Sequence, residues 1–499
     1  MLVVYVLPTL TCLLLVHFLR KFINYRREMN KLPGSHDLHP LLGNLHTYPG
    51  QGEEGMTHDF DNAKKYKYFN RFWIGPFLTL MVYHPESVRT VINSTIKPRD
   101  RSRVFSSSYD MGVPWLGEGL ILTNGARWSR NRRLLTPSFH FDILKSYMEV
   151  YNSCSDIFLS EMSKMSKTAT SFDIQPMVSR LVRDVILRCA FSYESNCQTD
   201  TSSGGYIDII DQLGHLWIQR CFDPLHIIDL VYRFSSKGRR FYNLCDKAHR
   251  EAERIIRKRQ LEMDSDPNMA EKRKVRDFLD TLLTARDEDG HGLTREEIRE
   301  EVDTFLFAGH DTTASGIMWT LMSLAQHPEC QQLVYEEVKD VLREREHVTW
   351  EDLGQLQYTS QCIKEALRLH SVVPGIDRVT TQDIVLNGHK IPSGTTLSIH
   401  LWALHHNPYI WEDPHDFQPQ RFHPDTAAKM DPFQFIPFSA GSRNCIGQNF
   451  AMNEMKVSVA KIISRFRLDS DPDKPAQRFM SVTMKVADGA YVYAKPRTV

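Results

Sequence analysis

The stretch "PFQFIPFSAGSRNCIGQNFAMNEMKVSVAKII", residues 432–463, places a single cysteine, Cys445, in a loop of Ser, Gly and Asn that leads directly into a helical pattern. No second cysteine or histidine stands at the short spacing that zinc and dithiol redox sites require. The pattern leaves three interpretations open for this thiol: an inert buried side chain, a nucleophile, or a thiolate ligand to a metal centre.

The residues around Cys445 favour the ligand. Apolar residues recur after it at helical spacing, so the sulfur is expected at a helix N-terminus, where unpaired N–H groups favour a thiolate. Gly441 and Gly447 leave the backbone open to a flat ligand, and Arg443 supplies a cation to an anionic group. A large planar anionic cofactor on a thiolate is therefore indicated, and haem is the obvious one.

Phe438, Gly441, Arg443, Cys445 and Gly447 match the F-x-x-G-x-R-x-C-x-G loop of the cytochrome P450 family, which the chain resembles over essentially its whole length. The resemblance implies a mainly α fold with small β-sheets and haem b as the cofactor. It also implies that Cys445 is the iron ligand, and that Phe438, Arg443 and Gly447 contact the haem.

A long helical segment is predicted over residues 294–326, and residues 309–313, "GHDTT", interrupt its apolar pattern. Burying such a cluster without partners costs several kcal/mol, roughly, so we expect a polar notch. Gly309 would permit a local widening there, and Thr312 would bond to a carbonyl one turn earlier. The alternative is a helix whose polar residues face solvent.

Residues 308–313 resemble the oxygen-activation motif of the same family. This resemblance implies that Ala308 borders the haem and that Asp311 and Thr312 are catalytic, delivering protons through ordered water.

Three further groups match family features. Glu365, Arg368 and Arg421 resemble a buried network that serves folding and haem retention, although the first two alone would indicate only a surface ion pair. Trp128 and Arg132, in "GARWSRNRR", match a W-x-x-x-R pair that holds a haem propionate. Arg378 falls where the family places another propionate contact, as does Arg443. The remaining arginines of residues 125–133 suit docking of an acidic redox partner. 

Residues 301–313 resemble the family 4 branch, the long-chain fatty-acid omega-hydroxylases, whose signature E-V-D-T-F-M-F-E-G-H-D-T-T differs only at Leu306 and Ala308. In many members the glutamate that Ala308 replaces forms an ester with a haem methyl. Alanine cannot form it, so we expect haem b to be bound non-covalently apart from the Cys445 thiolate. Strict selectivity for the terminal carbon is then weakened.

The composition of the 499-residue chain suits one large core, with 41% hydrophobic residues. A net charge of zero gives no indication of a nucleic-acid partner, and nine scattered cysteines indicate a reducing compartment. Strand pairs are expected around Gly75-Pro76 and at Asn387-Gly388 and Asp488-Gly489. The segments near residues 101–123 and 206–234 are expected to line the substrate cavity.

Residues 2–19 are uncharged and mostly apolar, and Arg20, Lys21, Arg26 and Arg27 follow them. A cleaved signal peptide would carry its charge before the apolar run and a small-residue cleavage site after it. The sequence therefore predicts a single-pass endoplasmic reticulum anchor at residues 1–22, with the catalytic domain in the cytosol. A basic, proline-containing hinge at 23–46 and the monooxygenase domain at 47–499 follow.

The leading functional hypothesis is an NADPH- and O2-dependent monooxygenase that hydroxylates long-chain fatty acids at or near the omega end. The only G-x-G-x-x-G string, residues 50–55, follows no predicted strand and is therefore not a dinucleotide-binding fingerprint, so electrons must come from NADPH-cytochrome reductase, with cytochrome b5 as an additional candidate. Membrane lipid and a small hydrophobic substrate are the other expected partners. The alternatives are oxidation of sterols or xenobiotics, a peroxide-rearranging isomerase, and a haem sensor or carrier.

Overall fold

The computed structural model describes residues 2–94, 96–97, 107–168, 170–199, 205–265 and 276–497. The fold is mainly helical with four small sheets among these residues, as predicted. Residues 101–106 of the first expected cavity segment lie outside the described part of the chain.

The α-helices are, in chain order, α1 Leu2–Met29, α2 Glu53–Tyr66, α3 Pro85–Asn93, α4 Val113–Leu116, α5 Gly125–Leu135, α6 Phe141–Ser146, α7 Met148–Ser166, α8 Gln175–Phe191, α9 Gly205–Cys221, α10 Asp229–Phe234, α11 Ser236–Ser265, α12 Phe278–Thr284, α13 Arg295–Gln326, α14 Pro328–Leu342, α15 Gln357–His370, α16 Leu401–His405, α17 Pro424–Ala427 and α18 Gln448–Arg465. Short 3-10 helices lie at Asp110–Gly112, Thr136–Phe139, Glu351–Gly354, Pro419–Phe422 and Gly441–Arg443.

The strands are β1 Phe69–Ile74, β2 Phe77–Val82, β3 Ile96–Lys97, β4 Phe172–Asp173, β5 Ile376–Thr380, β6 Ile384–Leu386, β7 His389–Ile391, β8 Thr396–Ile399, β9 Phe466–Ser470, β10 Arg478–Met480, β11 Met484–Val486 and β12 Tyr491–Pro496. The largest sheet has the order β1-β2-β8-β5-β3, and only its β2–β8 pair is parallel.

Two of the three predicted strand pairs are confirmed. β1 and β2 form a hairpin through Gly75, and β6 and β7 form one through Asn387 and Gly388, whose φ angles of 46° and 82° are those of a type I′ turn. The pairing across Asp488-Gly489 is wrong. β11 pairs with β10, whereas β12 pairs with β9 and β4, because the backbone N–H of Ala490 donates to Asp173 of β4 and directs the chain there.

The predicted long helix is confirmed as α13, which begins one residue after the expected start. Thr294 caps it: its side chain accepts from the N–H of Glu297, and the Glu297 carboxylate accepts from the N–H of Thr294. α13 packs against α8, α15 and α18 and is buried over most of its length, so it forms the axis of the core.

The predicted buried network also forms. Arg368 donates two hydrogen bonds of 2.8 Å to Glu365, and its remaining donors reach the carbonyl oxygens of His405, Pro414 and Asp416. Glu365 and Arg368 expose no side-chain surface, and Nε of Arg421 lies 3.4 Å from Glu365. The network therefore fastens α15 to the segment that leads into the cysteine loop.

At the other end of the chain, α1 exposes apolar side chains that include Leu13, Leu15, Phe18 and Leu19. In the described ranges, no helix combines the length and the apolar character needed to cross a membrane.

Candidate functional site

Cys445 lies where the sequence predicts it, just before the first turn of α18. The 3-10 turn Gly441–Arg443 precedes it, and its own N–H donates to the carbonyl of Phe438 at 2.9 Å. Gly441 has φ of 72°, and a Cβ there would lie 2.9 Å from Cγ2 of Ile92. This position therefore requires glycine for its conformation and for its packing.

The sulfur of Cys445 borders an internal hollow. The side chain is exposed by its accessible surface, yet burial raises the pKa of its thiol, and the backbone N–H of Gly447 and the Arg132 cation oppose that rise. A side chain that is deep in the protein and still accessible lines a cavity. A Cβ on Gly447 would meet nothing closer than 3.9 Å, so the backbone beside the sulfur is open to a large flat group.

One face of α13 is also open. Ala308, Gly309 and Thr312 are the only residues between 300 and 325 that are not buried, and their spacing places them on one side of the helix. The hydroxyl of Thr312 donates to the carbonyl of Ala308 at 2.7 Å, which confirms the predicted bond to the previous turn. A polar notch therefore exists in an otherwise buried helix.

One open feature lies on α13 and the other lies just before α18, and these two helices pack against each other. α13 and α18 approach closely at Gly316, whose added Cβ would lie 2.8 Å from Sδ of Met455. Thr312 precedes Gly316 by one turn of α13. We call the space that the open face of α13 borders the wedge.

Asp311 does not share the open face of Thr312. Its carboxylate accepts from the hydroxyl of Thr483 at 2.5 Å and is bound by Nζ of Lys485, which also bonds Asp211 of α9 at 2.7 Å. Burial acts to raise the pKa of Asp311, but Lys485 and the adjacent His310 outweigh it and hold that pKa below its usual value. The structure thus separates the two residues that the sequence motif groups together.

Gly309 serves packing rather than a widened turn, so that part of the prediction is wrong. α13 is continuous through this position, and a Cβ on Gly309 would lie 2.7 Å from Cδ1 of Ile186 on α8. The neighbouring His310 is buried against the same helix, its Nε2 lies 3.1 Å from the carbonyl of Ser179, and burial lowers its pKa to about 4. His310 is therefore neutral at physiological pH.

Three guanidinium groups converge beside the cysteine loop. Arg443 stacks over Trp128 at 3.9 Å, and Arg132 donates two hydrogen bonds to Asn444. Burial, Arg378 and Arg132 together lower the pKa of Arg443 to about 10 against the opposing effect of Tyr109, and no carboxylate of the described residues contributes. Such a buried cationic cluster fits an anionic partner, as the two propionates of haem would provide.

Two of the arginines expected at a docking surface are half-buried and paired with glutamates of α13. Arg127 pairs with Glu300 at 2.5 Å and Arg130 pairs with Glu297 at 2.6 Å, both on the first turns of α13. Only Arg133 keeps an exposed side chain, with a 3.1 Å pair to the equally exposed Glu288. No pattern near Arg127 and Arg130 predicts these contacts, because their partners lie more than 150 residues away.

A cytochrome P450 family model matches residues 33–489. The chain belongs to the cytochrome P450 family. This P450 is accordingly a monooxygenase that holds haem b through a cysteine thiolate. It is 38% identical to the human ultra-long-chain fatty acid omega-hydroxylase over 97% of this chain and 92% of that protein.

Other relatives belong to the same branch. Human cytochrome P450 4F12 is 39% identical over 90% of this chain and 86% of its own length. The mouse leukotriene-B4 omega-hydroxylase 3 is 41% identical over 85% of this chain and 82% of its own. The family 4 placement made from residues 301–313 is thus confirmed.

Proposed function

We propose that this P450 is an NADPH- and O2-dependent monooxygenase that hydroxylates long-chain fatty acids at or near the omega carbon, with Cys445 as its haem ligand. The observation that carries the proposal is the accessible sulfur of Cys445 in the loop just before α18, beside open backbone at Gly447. The substrate class rests on the relatives, two of which are named as omega-hydroxylases of fatty acids and of leukotriene B4.

The residues that hold the cofactor are grouped by what they offer. Cys445 offers a thiolate, stabilised by the N–H of Gly447 and by Arg132. Arg132, Arg378 and Arg443 offer cations to the propionates, with Trp128 stacked on one of them. The following residues offer apolar surface or open backbone: Phe438, Gly447 and Ala308. When bound, the haem iron supplies the oxygen-activating chemistry.

The chain's own contribution to proton transfer comes from α13. The hydroxyl of Thr312 is at the open face and is bound to the carbonyl of Ala308 at 2.7 Å, so its own lone pairs remain free to accept from a water or a substrate group. Asp311 precedes Thr312 in the sequence, and its carboxylate is buried and ionised beside Lys485. We assign it to relaying protons: the ionised carboxylate accepts a proton through ordered water and passes it on to the group that Thr312 positions.

A threonine pair gives a matched test of this assignment. Thr312→Ala and Thr320→Ala each remove a hydroxyl that donates to the carbonyl four residues earlier at 2.7 Å, but Thr320 is fully buried away from the open face. Thr312→Ala should lower the fraction of NADPH electrons that reach product and increase peroxide release. Equal uncoupling in both variants would contradict the assignment.

Residues 1–22 are proposed to anchor the protein in the endoplasmic reticulum membrane, with the hinge at 23–46 and the domain at 47–499 on the cytosolic side. The exposed apolar side chains of α1 and the basic residues that follow Leu19 support this. Carbonate extraction of membranes distinguishes an anchored protein from a peripherally bound one. An anchored chain stays in the membrane pellet, whereas a peripheral chain is released. Electrons are proposed to come from NADPH-cytochrome reductase, with or without cytochrome b5.

The first experiment is a reconstituted assay with reductase, NADPH and fatty acids of several chain lengths, with the hydroxyl position located by mass spectrometry. Terminal products would support omega-hydroxylation, and in-chain products would retain the substrate class with altered selectivity. No fatty-acid product from a protein with a thiolate-type carbon monoxide spectrum would refute the substrate class and favour sterols or xenobiotics.

Non-covalent haem binding has a separate test. Since Ala308 has only a methyl side chain, acidified organic solvent should extract all haem from the purified protein. Haem that stays with the polypeptide after extraction would show a covalent link elsewhere.

A further inference from the structure

The ammonium group of Lys485 joins two carboxylates from different helices. It donates to Asp211 of α9 at 2.7 Å and to Asp311 of α13 at a shorter distance. Asp311 is almost fully buried, whereas Asp211 is partly exposed. Lys485 itself comes from β11, so one side chain connects three elements of the fold.

The strand that carries Lys485 is fastened to α13. The carbonyl of Met484 accepts from the hydroxyl of Ser315 at 2.7 Å and from Nε1 of Trp319 at 3.4 Å, and Thr483 donates to Asp311. The distance between Lys485 and Asp311 is thereby set by the core. The distance to Asp211 depends on α9, which packs against α11 and has no such fastening to β11 among its described hydrogen bonds.

The charges agree with a shared cation. The pKa of Asp211 is raised by burial and by the charge of Asp311, against the attraction of Lys485, whereas the pKa of Asp311 is held low. Asp311 is therefore the carboxylate that pairs more strongly with the Lys485 ammonium, and Asp211 accepts a second N–H of the same ammonium. His310 and Asp208 are the other charged or titratable groups that act on this pair, and Arg183 acts on His310.

We propose that Lys485 is a positioning residue that orients Asp311 for proton delivery and that, through Asp211, makes this orientation depend on the position of α9. The inference rests on the proposed function, in which Asp311 relays protons to the group that Thr312 positions. α9 belongs to the segment expected to line the substrate cavity, so a substrate that shifts α9 would alter the sharing of the ammonium. Lys485 would then connect occupation of the substrate cavity with the orientation of the Asp311 carboxylate.

The link is tested on the substrate-free holoenzyme by amide hydrogen exchange of residues 205–221. Asp211→Asn and Lys485→Met should each increase exchange in α9 several-fold, and the double variant should add little to either one. Lys485→Arg, which keeps two donors, should preserve wild-type exchange. Asp208→Asn is the matched control, since it removes the same charge from an exposed position of α9 without a bond to Lys485.

The positioning role is tested by turnover. Lys485→Met should lower kcat about tenfold with KM within about twofold, and Lys485→Arg should restore it. The loss is smaller than the roughly 10²–10⁴-fold effect of a proton-transfer group itself, because Lys485 acts only through Asp311. Unchanged exchange in both Asp211→Asn and Lys485→Met would overturn the link, and a kcat that Lys485→Arg fails to restore would overturn the positioning role. Exchange needs no substrate, so it decides the link even if fatty acids are not turned over and the proposed function fails.

Discussion

Gly309 gives the sharpest test of how α13 packs. A methyl group added there would lie 2.7 Å from Cδ1 and 3.0 Å from Cγ1 of Ile186, a side chain that is itself buried on α8. Carbon atoms pack at about 3.5–4.0 Å, so the two helices must separate or Ile186 must leave its rotamer. Gly309→Ala is therefore expected to destabilise the protein although alanine is the better helix former.

The magnitude follows from two opposing terms. Overpacking a buried contact costs about 1–3 kcal/mol. Replacing glycine by alanine inside a helix stabilises the folded state by about 1 kcal/mol. The net loss is about 0–2 kcal/mol. In an Ile186→Ala background both clashing atoms are absent and the nearest remaining atom is Cβ at 3.9 Å, an ordinary contact. There the same substitution should stabilise by about 1 kcal/mol, so its sign reverses.

The assay is a double-mutant cycle on the holoprotein, with thermal unfolding followed by loss of haem absorbance. At about 2 cal/mol/K per residue, a chain of this length shifts by roughly 1 °C per kcal/mol. We expect Gly309→Ala to lower the midpoint in the wild-type background and to raise it when Ile186 is alanine. A decrease of the unfolding midpoint by the same amount in both backgrounds would refute the packing explanation. It would indicate instead that Gly309 is needed for the backbone geometry of the helix.

Three further predictions follow from the same contacts. Cys445→Ser should abolish the thiolate-type carbon monoxide spectrum while the apoprotein keeps its helical circular dichroism. Burial raises the pKa of Glu454 well above its usual value, so the folded state keeps a proton that the unfolded state loses. Stability should therefore fall by roughly 1.4 kcal/mol per pH unit as pH rises from the usual glutamate pKa toward the raised one. Glu454→Gln should remove this dependence, which paired unfolding midpoints will show. Arg127→Gln leaves the buried Glu300 without its cation and should lower stability, whereas Arg133→Gln should affect only the salt dependence of the reductase association rate.

Local pattern was enough to place the cysteine loop and the long helix. Both depend on neighbours within a few residues: the thiol precedes the first turn of α18, and the Thr294 cap begins α13. The hairpin at Asn387-Gly388 was predictable for the same reason, since both residues adopt the positive φ angles that this turn requires. In each case the physical cause is contained in the segment that shows the pattern.

Contacts that join distant segments were not predictable in this way. The run "ARWSRNRR" looks like a charged surface, and nothing near it shows that Glu297 and Glu300 will pair with Arg130 and Arg127. Lys485 shows no signal at all, because a lysine in a short strand is ordinary. The prediction of a hairpin at Asp488-Gly489 was wrong for the same reason. Asp173, which accepts a hydrogen bond from Ala490 at the start of β12, is over 300 residues away in sequence.

The separation of Asp311 from Thr312 follows from helix geometry. Each residue of an α-helix turns by about 100°, so five consecutive positions face different neighbours. Ala308 and Thr312 face the wedge, Gly309 also meets α8, and Asp311 meets β11. A change at Ala308 therefore alters the wall of the wedge while the packing with α8 and β11 stays as it is. This is why the fold can accommodate alanine where the branch has glutamate, and why the effect of that substitution should be sought in the position of hydroxylation rather than in stability.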